Sequence, residues 1–282
     1  MNSTNQTQPA PTTTGGAEKE KIVVIGGGTI GEALIGGLIA AGWDPEALTV
    51  VNRREERNQH FQERYRVHAT VDAPAAVSGA AAVVVAVKPY AVADVLRASA
   101  GAARTAVFVS MAAGVTLETM AAAVGEPAAL ARVMPNTPMV VGAGTSIVCW
   151  NAAADDAQRD LVLRMMRAVG TAVEVEEPLM DAATAMSGSS PAYYYLVIEA
   201  MMDAGVQLGL QRSVARQLAV GAMEGAARMM AQSPEDPAVL RGKVQSPGGS
   251  TIAAVRELER HGVRAAIFSA AEACARRSAE LG

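Results

Sequence analysis

The apolar pattern of the chain changes character once. Up to about residue 176, short uninterrupted apolar runs alternate with segments whose apolar residues recur at helical spacing, and from Met180 onward the helical period continues almost without a break. The runs Ile22–Ile25, Leu48–Val51, 82–87, 106–109, a short one ahead of Arg132, 145–150 and 172–176 predict strands. Helices are expected over 32–41, 55–66 and 155–168. Strands apolar throughout and alternating with helices imply a parallel sheet covered on both faces. In the second half, helices are predicted over 191–208, with Ser190 as N-cap and Pro191 at the first position, over 214–231 after Ser213, and over 252–260. The first of these carries Leu196, Val197, Ile198, Met201 and Met202 on more than one face, which predicts burial against a second subunit.

Between the first strand and the first helix, Gly26, Gly28 and Gly31 fall on the spacing G-x-G-x-x-G. Gly26 would allow a sharp turn, Gly28 a close approach of backbone to a pyrophosphate, and Gly31 tight packing of helix on strand. The helix N-terminus offers free amides and partial positive charge to the anion. A glycine-rich turn that binds nothing is the competing reading. The second strand ends at Asn52-Arg53-Arg54, where a unit selecting NAD usually places an acidic residue and a nearby arginine accommodates the 2′-phosphate of NADP. NADPH is therefore favoured, with NADH as the alternative, although Glu55 and Glu56 could pair with those arginines. Ligands of such sheets sit beyond the carboxyl ends of the strands, so Val87, Lys88, Pro89, Ala112, Ala113 and Gly114 border the same crevice. Asn136, in a turn held rigid by Pro135 and Pro138, is placed with them. Downstream, Ser246, Gly248, Gly249, Ser250 and Thr251 bring hydroxyls and unobstructed amides to the start of a helix, a carboxylate cradle unless it is a capped loop without a ligand.

Composition narrows the function classes. With 50% hydrophobic and 18% charged residues, the 282-residue chain can bury about two domain cores. The net charge of -4, with no basic run longer than two, argues against a nucleic-acid face. Cys149 and Cys274 give neither a disulfide framework nor a metal spacing, and His60, His68 and His261 stand singly, so no metal is expected. No apolar run reaches the roughly 18 residues a membrane span needs. Residues 1–20 are polar and lack the apolar stretch of a signal peptide, and read as a disordered leader of a cytoplasmic protein.

Five stretches together resemble the pyrroline-5-carboxylate reductase family: Val85-Ala-Val-Lys-Pro89, Ser110-Met-Ala-Ala-Gly114, Arg132-Val-Met-Pro-Asn-Thr-Pro138, the segment from Met180 through Ser190-Pro-Ala-Tyr193, and Ser246-Pro-Gly-Gly-Ser-Thr-Ile252. The resemblance implies an α/β protein with an N-terminal Rossmann-type parallel-sheet domain over 21–178 and an all-helical dimerisation and substrate domain over 179–282. It implies NAD(P)H-dependent reduction of 1-pyrroline-5-carboxylate to L-proline, in a homodimer or ring of dimers whose active site forms at the interlocked helices. It adds Gly27, Thr29 and Ile30 to the cofactor contacts, and places Glu177, Thr184 and Lys243 with the cradle around the substrate. Thr251 is the candidate to orient the imine nitrogen or relay a proton to it. Three positions depart from the family's habit: Ser190 stands before Pro191 in place of glycine, Ala73 replaces a common asparagine, and Gly31 a common alanine. A β-hydroxyacid dehydrogenase, the nearest alternative, uses a lysine in a G-x-x-x-N-x-x-K helix, absent from residues 180–240. A dinucleotide-binding sensor without turnover would have no use for an intact 246–251 loop.

Overall fold

The computed structural model describes residues 20–125 and 127–280; the expected leader, Glu20 apart, lies outside the described residues. Eight strands form one sheet in the order β3-β2-β1-β4-β5-β6-β7-β8. They are β1 (Ile22–Ile25), β2 (Leu48–Val51), β3 (His68–Thr70), β4 (Ala82–Val85), β5 (Val107–Ser110), β6 (Leu130–Met134), β7 (Gly144–Trp150) and β8 (Gly170–Glu174). The helices between them are α1 (Thr29–Ala40), α2 (Glu55–Tyr65), α3 (Ala73–Val77), α4 (Pro89–Ala100), α5 (Leu117–Val124) and α6 (Asp156–Arg167).

Alternate residues of each strand feed opposite layers, which is why the runs are apolar throughout. Ile22 and Val24 pack with Leu34, Ile35, Leu38 and Phe61 of α1 and α2; Val23 and Ile25 pack with Val92, Leu96 and Met120 of α4 and α5. Each such fully buried Val, Ile or Leu contributes about 1.5–3 kcal/mol. Two features depart from the sequence expectation. β7 pairs antiparallel with β6, so the sheet is parallel only through β6, and β8 follows β7. The physical reason is length: the link from Met134 to Gly144, a 3-10 turn at Thr137–Val141, is too short for the crossover of about a dozen residues that a parallel neighbour requires. β3 has no apolar run to announce it, lying at the sheet edge with His68 exposed.

The helical half comprises α7 (Met180–Ala183), a π-helical turn at Thr184–Gly188, α8 (Ser190–Gln207), α9 (Arg212–Gln232), α10 (Pro237–Lys243), α11 (Ser250–Arg260) and α12 (Val263–Ala279). Ser190 is not an N-cap. The chain enters α8 already helical, with Ser189 at φ -97°, ψ -21° and no capping side chain, so the π turn supplies the start that a cap would otherwise give. α12 returns to this junction, where Ser278 Oγ donates to Asp181 Oδ1 at 2.7 Å and Cys274 Sγ to Ser189 Oγ at 3.1 Å. α8 and α9 pack on each other where Gly205 meets Ala215. Much of their apolar surface is still uncovered within one chain: Leu196 is 67% exposed, Met201 47% and Leu218 58%. Among the described residues, no helix is long and apolar enough to cross a membrane.

Candidate active site

Residues Val51, Ile25, Val85, Ser110 and Arg132 stand in register across β2, β1, β4, β5 and β6, so the segments that follow them leave the sheet along one edge. This brings together Gly26 to Gly31, Asn52 to Arg54, Val87 to Pro89 and Ala112 to Gly114. The order β3-β2-β1-β4-β5-β6 reverses direction between β1 and β4, the switch point at which open α/β sheets bind ligands.

At that point the chain turns at Gly26, whose φ of +110° is left-handed and whose added Cβ would lie 2.6 Å from the Ala86 carbonyl oxygen. A Cβ on Gly31 would come within 2.0 Å of the Gly26 oxygen, so the alanine common at this place would push α1 off its strand. Gly28 has nothing within 4 Å of such a Cβ and is exposed, as is Thr29. α1 starts here without a capping side chain, and the amides of Gly28, Thr29 and Ile30 have no acceptor among the described residues. An open approach lined by free helix-terminal amides fits a diphosphate.

Asn52 and its neighbours divide the labour differently from the expectation. Asn52 Oδ1 accepts from Gly27 N–H at 2.7 Å, and its Nδ2 donates to Asn58 Oδ1 at 3.1 Å, so this side chain holds the turn. Arg53 and Arg54 are exposed, with no ion-pair partner among the described residues; Glu55 reaches Asn58 instead. Two unpaired guanidinium groups at the end of β2 suit a 2′-phosphate. Lys88 precedes α4, exposed, and Pro89 opens that helix. Ala112 is buried, Ala113 is exposed, and the Ala112 amide donates to Ser110 Oγ at 3.4 Å. Asn136, 8% exposed, spends its amide on the scaffold: Nδ2 donates to the Ser187 carbonyl at 3.0 Å and Oδ1 accepts from Thr145 N–H at 2.8 Å, tying the sheet edge to the π turn.

The residues placed around the substrate do not gather in one chain. Glu177 Oε1 accepts from Leu117 N–H at the start of α5 at 2.7 Å and pairs with the buried Arg132 at 3.4 Å. Thr184 Oγ1 donates to the Met180 carbonyl at 2.7 Å and is buried. Lys243 Nζ meets Glu235 Oε1 at 2.7 Å. Beyond it, Gly249 N–H donates to the Ser246 carbonyl at 3.0 Å across a turn with Pro247 second and Gly248 third, at φ +70°, the pattern of a type II turn. α11 begins at Ser250, two residues earlier than the apolar pattern indicates, so Ser250 and Thr251 form its first turn. No side chain caps it, and both residues are exposed. Among the described residues, no hydrogen bond or ion pair joins 237–260 to 20–176.

Sequence reading missed Arg57 and Glu32, which brace the glycine turn from behind. Arg57 Nε donates to the Gly27 carbonyl at 2.7 Å and its Nη2 pairs with Glu32, which also receives the Tyr65 hydroxyl at 3.1 Å and lies 2.8 Å from His60 Nε2. Burial would raise the Glu32 carboxyl, but the hydrogen bonds from His60, Arg57 and Tyr65 outweigh it and hold the group down at about 2. The one signal available was a glutamate in the first turn of an otherwise apolar helix.

A switch-point crevice with an open helix N-terminus, joined to helices left uncovered in one chain, defines a dinucleotide-binding protein that assembles through its C-terminal half. Residues 177–281 match the pyrroline-5-carboxylate reductase dimerisation model, and 21–114 the model of NADP oxidoreductases that are coenzyme F420-dependent. A pyrroline-5-carboxylate reductase of Corynebacterium melassecola is 47% identical, covering 93% of this chain and 98% of its own. The structure of such a reductase from Coxiella burnetii superposes with a TM-score of 0.91 at 35% identity, over 94% of this chain and 99% of that one. A Plasmodium falciparum pyrroline carboxylate reductase with NADP bound gives 0.83 at 29% identity, over 95% and 100%. The chain belongs to the pyrroline-5-carboxylate reductase family.

Proposed function

We propose that this protein reduces 1-pyrroline-5-carboxylate to L-proline, the last step of proline synthesis, with NADPH preferred over NADH. The observation that carries the reading is a pair of separate anion cradles in one chain: the uncapped start of α1 beside two unpaired arginines, and the uncapped start of α11 beside Ser246, Ser250 and Thr251. The first suits a phosphorylated dinucleotide and the second a small carboxylate. Family membership and the NADP-bound Plasmodium falciparum relative support the pairing.

When bound, the cofactor supplies a hydride to the C=N carbon. The amides of Gly28, Thr29 and Ile30 take the diphosphate, and Arg53 and Arg54 the 2′-phosphate. Val87, Lys88, Pro89, Ala112, Ala113 and Gly114 form the walls of the crevice. Ser246, Gly248, Gly249, Ser250 and Thr251 fix the substrate carboxylate through hydroxyls and α11 amides, so that the ring is held for transfer; positioning of this kind carries much of the acceleration. A protonated imine is already electrophilic, and no histidine or carboxylate pair is required. The Thr251 hydroxyl, a weak acid, orients the imine nitrogen or relays a proton to it. Glu177, Thr184, Lys243 and Asn136 act in this reading by shaping the surroundings, their polar groups being engaged within the chain.

The uncovered faces of α8 and α9 support a homodimer, alone or in a ring of dimers, that brings the α11 cradle of one copy to the crevice of another. A cytoplasmic location is part of this reading, supported by two free cysteines, one of them buried. Purified protein given 1-pyrroline-5-carboxylate and either reduced cofactor should form proline, faster with NADPH at low concentration. Absence of proline with both cofactors would refute the assignment.

A further inference from the structure

Packed against the glycine turn between α1 and α2 stands a cluster that the proposed function does not use, made of Arg57, Glu32, His60 and Tyr65. Both peptide groups flanking the Gly27 Cα are held from α2 and the end of β2. Gly27 N–H goes to Asn52 Oδ1 at 2.7 Å, and the Gly27 carbonyl accepts from Arg57 Nε at 2.7 Å. In a trans peptide the carbonyl and the following N–H point in opposite directions. Drawing the Gly27 oxygen to Arg57 therefore aims Gly28 N–H away from Arg57, and that amide has no acceptor among the described residues. The guanidinium charge also polarises that peptide and strengthens its N–H as a donor. Arg57 is itself immobilised: Nη2 pairs with Glu32, and the group lies 4.9 Å from the Phe61 ring centroid. Asn52 is steadied in the same way, through Asn58, which is fully buried and donates to Glu55 Oε2 at 3.2 Å.

We propose that Arg57 is a positioning residue for the cofactor diphosphate, acting through the Gly27 carbonyl to aim the Gly28 amide without touching the cofactor. The inference rests on the dinucleotide reading above. It separates two groups of one segment: Arg53 and Arg54 sense the 2′-phosphate, and Arg57 sets the grip on the part every dinucleotide shares. Lysine cannot replace it, because one ammonium cannot serve both the Gly27 oxygen and Glu32 in the geometry of a planar fork.

Direct titration of wild type, R57A, R57K and R53A with NADPH, NADH and ADP-ribose tests this. R57A and R57K should weaken all three ligands by a common factor of about tenfold, the loss expected for one charge-assisted hydrogen bond, with kcat at saturating cofactor within about twofold of wild type. R53A should weaken NADPH alone. In the ligand-free protein the Gly28 amide resonance should move in R57K and hold in R53A. A loss confined to NADPH would make Arg57 a direct phosphate contact and overturn the proposal. So would unchanged affinities, or a fall in kcat at unchanged affinity, which marks mere loss of folded enzyme. Failure of the wild type to bind any of the three would remove the dinucleotide reading itself, and the proposal with it.

Discussion

At the residue scale, Arg53 is exposed and has no ion-pair partner among the described residues, which leaves it open to the proposed 2′-phosphate contact. R53A should raise the Michaelis constant for NADPH about tenfold, since a charge-assisted bond is worth about 1.5–3 kcal/mol, and leave that for NADH nearly unchanged. Steady-state kinetics with both cofactors checks it; equal effects would argue against a phosphate role. Thr251 stands in the uncapped first turn of α11. T251A should cost about 10- to 100-fold in kcat/KM, and T251S should retain much of the activity, while NADPH affinity stays near wild type. Weakened NADPH binding with intact turnover would move the loop to the cofactor side. The sequence singles out these two residues because each stands next to a motif with its own spacing rule. Asn136, Glu177 and Thr184 were singled out from sequence, but what their atoms do within the chain was not legible there. Asn136 bonds to Thr145 and Ser187, and Glu177 to Leu117, 60 positions away. No local pattern encodes such pairings, because they arise when separate elements meet.

At the element scale, the α1–α2 packing turns on Glu32. Its folded carboxyl is lowered from an ordinary 4.5 to about 2, the His60, Arg57 and Tyr65 hydrogen bonds exceeding the burial penalty. A group depressed on folding adds stability that is fully present above its unfolded value and is lost as pH falls toward the folded one. Denaturant midpoints should therefore drop between about pH 4.5 and about pH 2, and E32Q should be less stable than wild type at neutral pH with the gap closing across that window. A gap that stays constant with pH would show that the Glu32 charge does no work in the folded state. Strands and long helices were legible from their period, since Ile22 to Ile25 and Leu48 to Val51 must be apolar to be buried on both faces. The reversal at β7 was not, because apolar strands look alike in either direction and only the short link after Met134 distinguishes them. The π turn was likewise hidden; its effect was to start α8 without the cap that Ser190 suggested.

At the scale of the whole molecule, the segment 237–260 that carries the α11 cradle shares no hydrogen bond or ion pair with 20–176 among the described residues, and α8 and α9 leave apolar faces uncovered. The change of period at Met180 already announced two parts and a second copy, but which crevice receives which cradle depends on contacts between copies that no single chain contains. Complementation between two disabled variants decides it. G28D should abolish cofactor binding without disturbing the fold, since a Cβ added at Gly28 meets nothing within 4 Å and the carboxylate would be set against the diphosphate. T251A disables the other cradle. Each variant alone should be nearly inactive. If every site takes its crevice from one copy and its cradle from another, a mixed dimer holds one site with both parts intact and one with both disabled. Random co-assembly makes half of the dimers mixed, so co-expression should restore about a quarter of the wild-type activity. If each chain builds its own site, every site in every dimer carries one lesion, and co-expression should give no more than the variants do separately. Light scattering on the same samples should report a dimer or a multiple of it, because an active monomer would leave the apolar faces of α8 and α9 in water.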